Sequence, residues 1–252
     1  MATGFIYIVK SVDKNYGQEH FHNVPTYWED LLFFGPCKDG MRQRMNLGDY
    51  IFGVSPWKTN PRRVVFAMKI AERITFAEVY HRFPELRGPK GPIHVQPVSR
   101  PRLDFPWCDY QHIPDAMHDK EKDRKNWEKD LAKRDLDRFF VGEPQDGWFG
   151  RWLGPKGPEI DQDILRFLKV CSLFDSHGCE LSSQNHDASP EKPIAFGRRY
   201  TGLHLEIPEP ERFIELLNGR MAGISLDAEI GDIATDTTKH GRNRRPSCKS
   251  SC

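Results

Sequence analysis

The stretch Gly48-Asp49-Tyr50-Ile51-Phe52-Gly53-Val54-Ser55 decides the fold, together with Arg63-Val64-Val65-Phe66-Ala67-Met68-Lys69-Ile70 further along the chain. Each is a short apolar run, rich in aromatic and β-branched residues and bounded by turn-forming residues, which is typical of a half-buried strand. The sequence therefore predicts two strands joined by residues 56–62, a loop that carries Trp57 and two cations. A basic loop with an aromatic tip favours a surface that faces a base or a nucleic acid.

The length and composition of the chain are typical of a soluble globular protein. It has 252 residues, of which 38% are hydrophobic and 29% are charged, and such a chain can bury a substantial core. We predict a single α+β domain over residues 1–226. Residues 227–252 lose apolar periodicity and end in a segment with basic but no acidic side chains, so a disordered basic tail is predicted there.

The sequence carries no pattern of membrane insertion or secretion. No window approaches about 18 consecutive apolar residues, and the N-terminus lacks a signal-peptide pattern. Six cysteines are scattered without a disulfide framework, which favours reduced thiols and a cytoplasmic location. No phosphate-binding or dinucleotide-binding glycine motif occurs, so we expect no cofactor and no membrane partner.

Charge is distributed unevenly along the chain. Residues 38–102 contain 13 Lys and Arg against 5 Asp and Glu, although the net charge of the whole chain is only +1. A basic segment on an otherwise acidic protein suits a surface that faces a polyanion. Solvated cations on edge strands are the equally weighted alternative.

Periodicity and capping signals predict the remaining elements. Thr75-Phe76-Ala77-Glu78 is a capping box, which marks a helix start, and residues 84–114 read as a long proline-stiffened loop. A short helix is predicted at 25–33, a charged and solvated helix at 114–138, an amphipathic helix at 160–170 and a helix at 208–217. Strands are predicted at 5–10 and 197–207, the latter alternating cleanly over its second half, and 139–141 is a short buried apolar run.

Candidate catalytic and metal-binding residues are few. No common hydrolase or zinc motif is present, and Cys171, His177, Cys179 and His186 match no usual zinc spacing, so we predict no metal site. Cys37 precedes Lys38, and a neighbouring cation lowers the pKa of a thiol. His112 could shuttle a proton, although a structural role is the more common one for either residue.

Aromatic residues in loops give the stronger signal. Trp57, Trp107 and Tyr110 lie in predicted loops together with Trp148 and Trp152. Loop tryptophans near arginines suit stacking on a nucleobase, because every base offers a π-face and guanidinium groups hold phosphate. Plugging the ends of a small barrel is an equally good role for any one of them.

A series of short motifs covers roughly residues 5–160. They are Tyr7 with Val9, Asp13 with Gly17, Cys37-Lys38 with Arg42, Gly48-Asp49 with Ile51 and Gly53, Val65-Phe66-Ala67-Met68-Lys69, Thr75-Phe76 with Tyr80, and Phe149-Gly150 with Gly154-Pro155. In these motifs the chain resembles a bacterial and phage family, the nucleotide-modification-associated domain of the second type. The strand entered by Gly48-Asp49 is also similar to those of small PUA-like barrels that read modified bases.

The resemblance implies a fold and a ligand. The implied fold is α+β, with a compact bent mixed sheet or small barrel and peripheral helices, and the implied ligand is a modified nucleotide or nucleic acid. We therefore favour a module that recognises a modified base, in DNA modification or defence against phage. The predicted ligand-binding residues are Lys38, Arg42, Arg44, Asp49, Trp57, Arg62, Arg63, Trp107 and Tyr110.

Two other readings remain open at this point. One is an enzyme that processes a nucleotide or base and uses Asp13, Cys37 or His112 as acid, base or nucleophile. The other is a protein-interaction module in which the charged segment 114–138 binds a protein partner. Loss of binding on removal of a tryptophan would favour the reader, whereas loss of turnover on removal of a titratable group would favour the enzyme.

Overall fold

The structure, a computed structural model, describes residues 1–9, 26–28, 31–35, 38–56, 61–84, 87, 95–100, 103, 105–112, 131–142, 148–151, 153–194 and 203–222. Its strands, numbered β1 to β11, are Gly4–Ile8, Thr26–Trp28, Leu31–Phe34, Tyr50–Val54, Val64–Ile74, Val95–Pro97, Tyr110–His112, Phe139–Gly142, Ser172–Phe174, Glu180–Ser182 and His204–Ile207. Its helices, α1 to α4, are Asp39–Arg44, Phe76–Arg82, Gln162–Lys169 and Pro210–Met221. The fold is α+β, as predicted.

Nine strands form one mixed sheet in the order β10-β9-β11-β1-β4-β5-β8-β3-β2, and β6 pairs with β7 separately. β1 and β4 run parallel, and the other neighbouring strands of the large sheet run antiparallel. Among the described residues the two end strands, β10 and β2, do not pair with each other. The sheet is therefore open, and a closed barrel is not confirmed.

β4 and β5 form the predicted antiparallel hairpin, but they are more deeply buried than a half-buried strand would be. Every residue of β1 and β4 is buried, because helices cover both faces of the sheet centre. Gly53 lies opposite Phe66 in the hairpin, and a Cβ at Gly53 would come 2.0 Å from the Phe66 ring. Glycine is therefore required at this position, because the Phe66 ring occupies the space that a Cβ would need.

The buried side chains form three clusters that follow the alternation of the strands. α3 and α4 cover one face at β1 and β4, where Ile6 and Phe52 meet Phe213. α1 covers the other face, where Met41 and Met45 meet the side of the sheet that carries Phe34 and Phe140. α2 packs on the opposite face of β3 and β8, the side that carries Phe33 and Phe139.

The predicted helix at 25–33 is wrong. Residues 26–28 and 31–34 form the antiparallel strands β2 and β3, and β3 pairs with β8. Phe33 and Phe34 are both buried and belong to different clusters, which is the two-residue period of a strand with both faces covered. Pairing with β8, about a hundred residues away, overrides the local helical spacing.

The other predicted elements are largely confirmed. The capping box at Thr75 is present with both of its hydrogen bonds, and Asp161 caps α3. The proline-rich stretch contains the short strands β6 and β7, and α4 runs through Gly219 instead of ending before it. No helix in the described ranges is long and apolar enough to cross a membrane. Residues 114–130 of the predicted charged helix and the tail 227–252 lie outside the described residues. The remaining part of that prediction, 131–138, is wrong: these residues form turns and a short 3₁₀-helix at Arg134–Leu136, because Leu131 and Leu136 are buried in the fold.

Candidate functional site

Lys38 has the most unusual backbone in the candidate site. It precedes α1 with φ 68° and ψ 51°, and it is the one residue other than glycine with a positive φ in the described part of the chain. Its Nζ atom lies 5.1 Å from the centre of the Tyr7 ring on β1. A left-handed lysine costs about 1–2 kcal/mol, and such strain is concentrated at functional sites. Lys38 is therefore the first candidate.

Glycine contacts hold α1 in place over β1. A Cβ at Gly40 would come 2.4 Å from the carbonyl oxygen of Ser176, in the turn between β9 and β10. Glycine at this position lets the helix lie against that turn, while Met41 and Met45 point into the core. The position of Lys38 thus follows from contacts that only glycine permits.

At the far end of α1, Arg44 joins a polar group on β11. Its guanidinium makes two hydrogen bonds to Glu206, one of them Nη2 to Oε2 at 2.8 Å, and lies 4.3 Å from the centre of the Phe174 ring. Burial alone would raise the pKa of Glu206, but the hydrogen bonds from His204 and Arg44 outweigh it and hold this pKa below its usual value. Glu206 therefore stays ionised and orients Arg44.

His204 is fully buried beneath this ion pair. Its Nε2 lies 3.4 Å from Oε1 of Glu206, and its buried Nδ1 has no hydrogen-bond partner among the described residues. Burial lowers the pKa of His204, the Glu206 carboxylate opposes this in part, and the charges of Arg44 and Lys38 lower it further. The imidazole is therefore neutral at pH 7.

The carboxyl ends of the parallel strands β1 and β4 meet at the same edge of the sheet. The Val9 amide donates to the Val54 carbonyl at 2.9 Å, and the next residue, Ser55, accepts a hydrogen bond from the Arg63 amide at 2.9 Å. Arg63 donates through Nη1 to the Gly157 carbonyl at 2.8 Å. Ligands commonly bind at the carboxyl ends of parallel strands, so this edge belongs to the candidate site.

Other predicted ligand-binding residues have internal partners in this structure. The buried guanidinium of Arg42 donates to the carbonyl oxygens of Leu136 and Arg138, and that of Arg62 donates to the carbonyl of Glu191 at 2.8 Å. Asp49 accepts hydrogen bonds from the backbone amides of Thr3 at 2.8 Å and Asn46 at 2.7 Å. These side chains brace distant segments, and their predicted ligand contacts stay predictions.

Two of the predicted aromatic residues, Trp107 and Tyr110, do not share a face of the sheet with Lys38 and pack near α2 instead. Trp107 is partly buried against the α2 cluster, where its ring meets Phe105 edge-on at 5.5 Å. The Tyr110 hydroxyl lies 2.7 Å from Nε2 of His81 on α2. His112 belongs to the same strand as Tyr110, and its side chain, like the whole of Asp13, Cys37 and Trp57, lies outside the described residues.

Cys171, His177, Cys179 and His186 do not come together as a metal site. The described residues contain no group of three or more His, Cys, Asp or Glu side chains that could hold a metal ion. Burial raises the pKa of the Cys171 thiol to about 12, whereas Cys179 is exposed. A surface groove of about 470 Å³ lies between α3 and α4, lined in part by Phe167 and Leu216. It is on the opposite face of the sheet from Lys38.

His204 and Glu206 are the members of the site that the sequence reasoning missed. The signal was present, because Leu205 and Ile207 alternate with them and point into the core. A histidine and a glutamate two residues apart on such a strand share its other face. Only the fold shows that this face meets α1.

Comparison with known proteins identifies the family. The family described as nucleotide modification associated domain 2 (Nmad2) matches residues 1–137, which contain β1 to β7, Lys38 and α1. No curated protein sequence and no solved structure matches the chain. The family description associates these proteins with nucleotide modification, and since the match covers more than half of the 252 residues, the chain belongs to the nucleotide modification associated domain 2 family.

Proposed function

We propose that this protein binds a modified nucleotide, or a modified base within a nucleic acid, beside Lys38. The strained backbone of Lys38 is the observation that carries the proposal, because the chain retains a left-handed lysine where glycine would relieve the strain. The cellular role that follows is recognition of modified nucleotides in the cytoplasm, in DNA modification or in defence against phage. The association of the family with nucleotide modification motivates the choice of ligand.

The charges around Lys38 support an anionic ligand. Lys38 and Arg44 stand at the two ends of α1, and the adjacent carboxylate of Glu206 is already engaged by Arg44 and His204. The Lys38 ammonium lies over the Tyr7 ring, near the edge where β1 and β4 end. A phosphate or an electronegative base substituent would complement that charge.

A glycine substitution separates binding from folding. Lys38→Gly removes the ammonium and accepts the left-handed backbone, so the thermal unfolding midpoint should stay within a few degrees of that of the wild type. Loss of a charge-assisted contact should weaken ligand binding roughly ten- to a hundredfold. Lys38→Arg keeps the charge and should retain most of the affinity.

The matched control is Lys69→Ala. Lys69 also lies over a tyrosine ring, with its Nζ 5.4 Å from the centre of the Tyr50 ring. The substitution therefore removes an equivalent charge and ring contact at a position away from α1. Binding is measured by titration calorimetry with oligonucleotides and nucleoside monophosphates that carry methylated or hydroxymethylated bases, and with their unmodified counterparts. Equal affinity of wild type and Lys38→Gly for every ligand would overturn the proposal.

A further inference from the structure

Three arginines crowd together on the α1 face of the sheet. Arg73 on β5 lies directly opposite Phe140 on β8, and residues directly opposite each other in an antiparallel pair share a face. The Arg138 guanidinium lies 5.9 Å from the centre of the same Phe140 ring. Arg42 of α1 completes the group, since it donates to the Arg138 carbonyl at 3.2 Å. We call these three arginines the Arg138 cluster.

Arg138 is the member whose charge is least compensated. It is only 8% exposed, and its buried Nε atom has no hydrogen-bond partner. Within the described part of the chain its guanidinium donates no hydrogen bond and makes no ion pair. Burial lowers the pKa of Arg138, and the charges of Arg73 and Arg42 lower it further, whereas the Asp135 carboxylate opposes this.

The surrounding carboxylates compensate the cluster only in part, since Asp137 interacts electrostatically with Arg42 and Asp135 with Arg138. The Asp137 carboxylate is turned to the other side, where it accepts a hydrogen bond from the Phe76 amide at the start of α2 at 3.0 Å. Lys133 adds a further cation near α1 and donates to Gln43 at 2.8 Å. An anion bound at the cluster would therefore compensate the buried charge of Arg138.

We propose that Arg138 and Arg73 bind a phosphate group, either a phosphodiester of a nucleic acid or the phosphate of a free nucleotide. A guanidinium presents a planar fork of donors that matches two phosphate oxygens, and Arg73 is exposed, so it can close on the ligand from solvent. The site itself rests on the burial and crowding of the arginines. The inference rests on the proposed function only for the identity of the anion.

Arg138→Met tests the site, because methionine fills space along the Phe140 ring and carries no charge. Phosphate binding should fall roughly ten- to a hundredfold, as expected for loss of a charge-assisted pair. The thermal midpoint of the ligand-free variant should rise, because an unpartnered buried charge has been removed. If Arg138 only stabilised the fold, Arg138→Met would have a lower thermal midpoint and unchanged phosphate binding. That result would overturn the proposal.

Arg82→Met is the matched control, since it removes an exposed arginine that is paired with Glu72. It should leave both affinity and its dependence on salt unchanged. Arg73→Gln is a second variant for the case in which Arg138→Met fails to fold; it changes an exposed residue and should also weaken phosphate binding. Unchanged binding in Arg73→Gln would then count against the site.

Three probes identify the source of the phosphate: inorganic phosphate, nucleoside monophosphates, and an oligonucleotide without terminal phosphates. A loss confined to the oligonucleotide assigns the site to the backbone, and a loss confined to the monophosphates assigns it to free nucleotides. A third outcome is that inorganic phosphate binds, dependent on Arg138, while neither the monophosphates nor the oligonucleotide binds. This result would support the site and refute the proposed function. Failure of all three to bind, or equal binding by wild type and Arg138→Met, would refute the site.

Discussion

At the scale of single residues, Arg44, His204 and Glu206 depend on one another for their charge states. His204 stays neutral because it is buried beneath the charges of Arg44 and Lys38, and Glu206 stays ionised because both neighbours donate to it. A group whose pKa differs between the folded and unfolded chain makes stability depend on pH. This contact group therefore predicts a measurable pH dependence.

Stability should fall as the pH falls from about 7 to about 5. The pKa of His204 in the folded chain is below its ordinary value of 6.5. As the pH falls, the unfolded chain therefore binds this proton before the folded chain does, and the free energy of unfolding decreases. Glu206, whose pKa is below its ordinary 4.5, loses its contribution only at lower pH. His204→Phe should flatten the dependence of the thermal midpoint on pH, and calorimetry at several pH values would measure it.

The control for this experiment is His177→Ala, which changes an exposed histidine in the nearby turn between β9 and β10. It should keep the wild-type slope of midpoint against pH. The interpretation fails if His204→Phe has the same slope as the wild type, or if His177→Ala flattens the slope equally.

At the scale of elements, α1 is a six-residue helix whose position depends on its docking. Helices this short are not stable alone, so the contacts of Met41, Met45 and Gly40 with the rest of the fold hold it in place. Lys38, Arg42 and Arg44 are all placed by this one element. A change in its docking should therefore affect stability and the candidate site together.

Gly40→Ala should destabilise the protein although alanine favours helices. The added Cβ would come 2.4 Å from the Ser176 carbonyl oxygen, a backbone atom that cannot turn away, and overpacking of this kind costs about 1–3 kcal/mol. Gly219→Ala in α4 is the matched control, because no atom lies within 4 Å of its added Cβ. It should stabilise by about 0.5–1 kcal/mol.

Urea denaturation of the two glycine variants measures both effects on the free energy of unfolding. Opposite signs are expected for the two substitutions. A stabilised Gly40→Ala protein would show that α1 does not press against the turn between β9 and β10.

At the scale of the whole molecule, the large sheet continues beyond the residues that match the family. β11 pairs with β1, β8 pairs with β5, and both β8 and β11 follow residue 137. α3 and α4 cover the face of the sheet that carries Ile6 and Phe52. The matched residues alone would therefore leave strand edges and a large apolar face uncovered.

A fragment of residues 1–137 should consequently fail to form a stable monomer. It lacks β11, β8 and the two helices that cover β1 and β4, so it would aggregate or remain partly unfolded. Size-exclusion chromatography and a thermal melt by circular dichroism, with residues 1–226 as the comparison, would test this. A monomeric fragment with a cooperative melt would contradict the expectation.

The sequence by itself determined the features that depend on neighbouring residues. The β4–β5 hairpin, the capping box at Thr75 and the amphipathic helix α3 follow from periodicity and capping within about ten residues. The short motifs of the first 137 residues indicated the family. Lys38 and Arg44 were also singled out from the sequence, as members of a basic segment.

Only the tertiary structure decided which of these side chains meet. Arg44 bonds to Glu206, 162 residues away, and Arg42 reaches the carbonyl oxygens that flank the start of β8. A local pattern shows which face a side chain shares but not what covers that face. The left-handed backbone of Lys38 arises in the same way, because docking of α1 on β1 and on the turn at Ser176 sets its conformation against the residue's own preference.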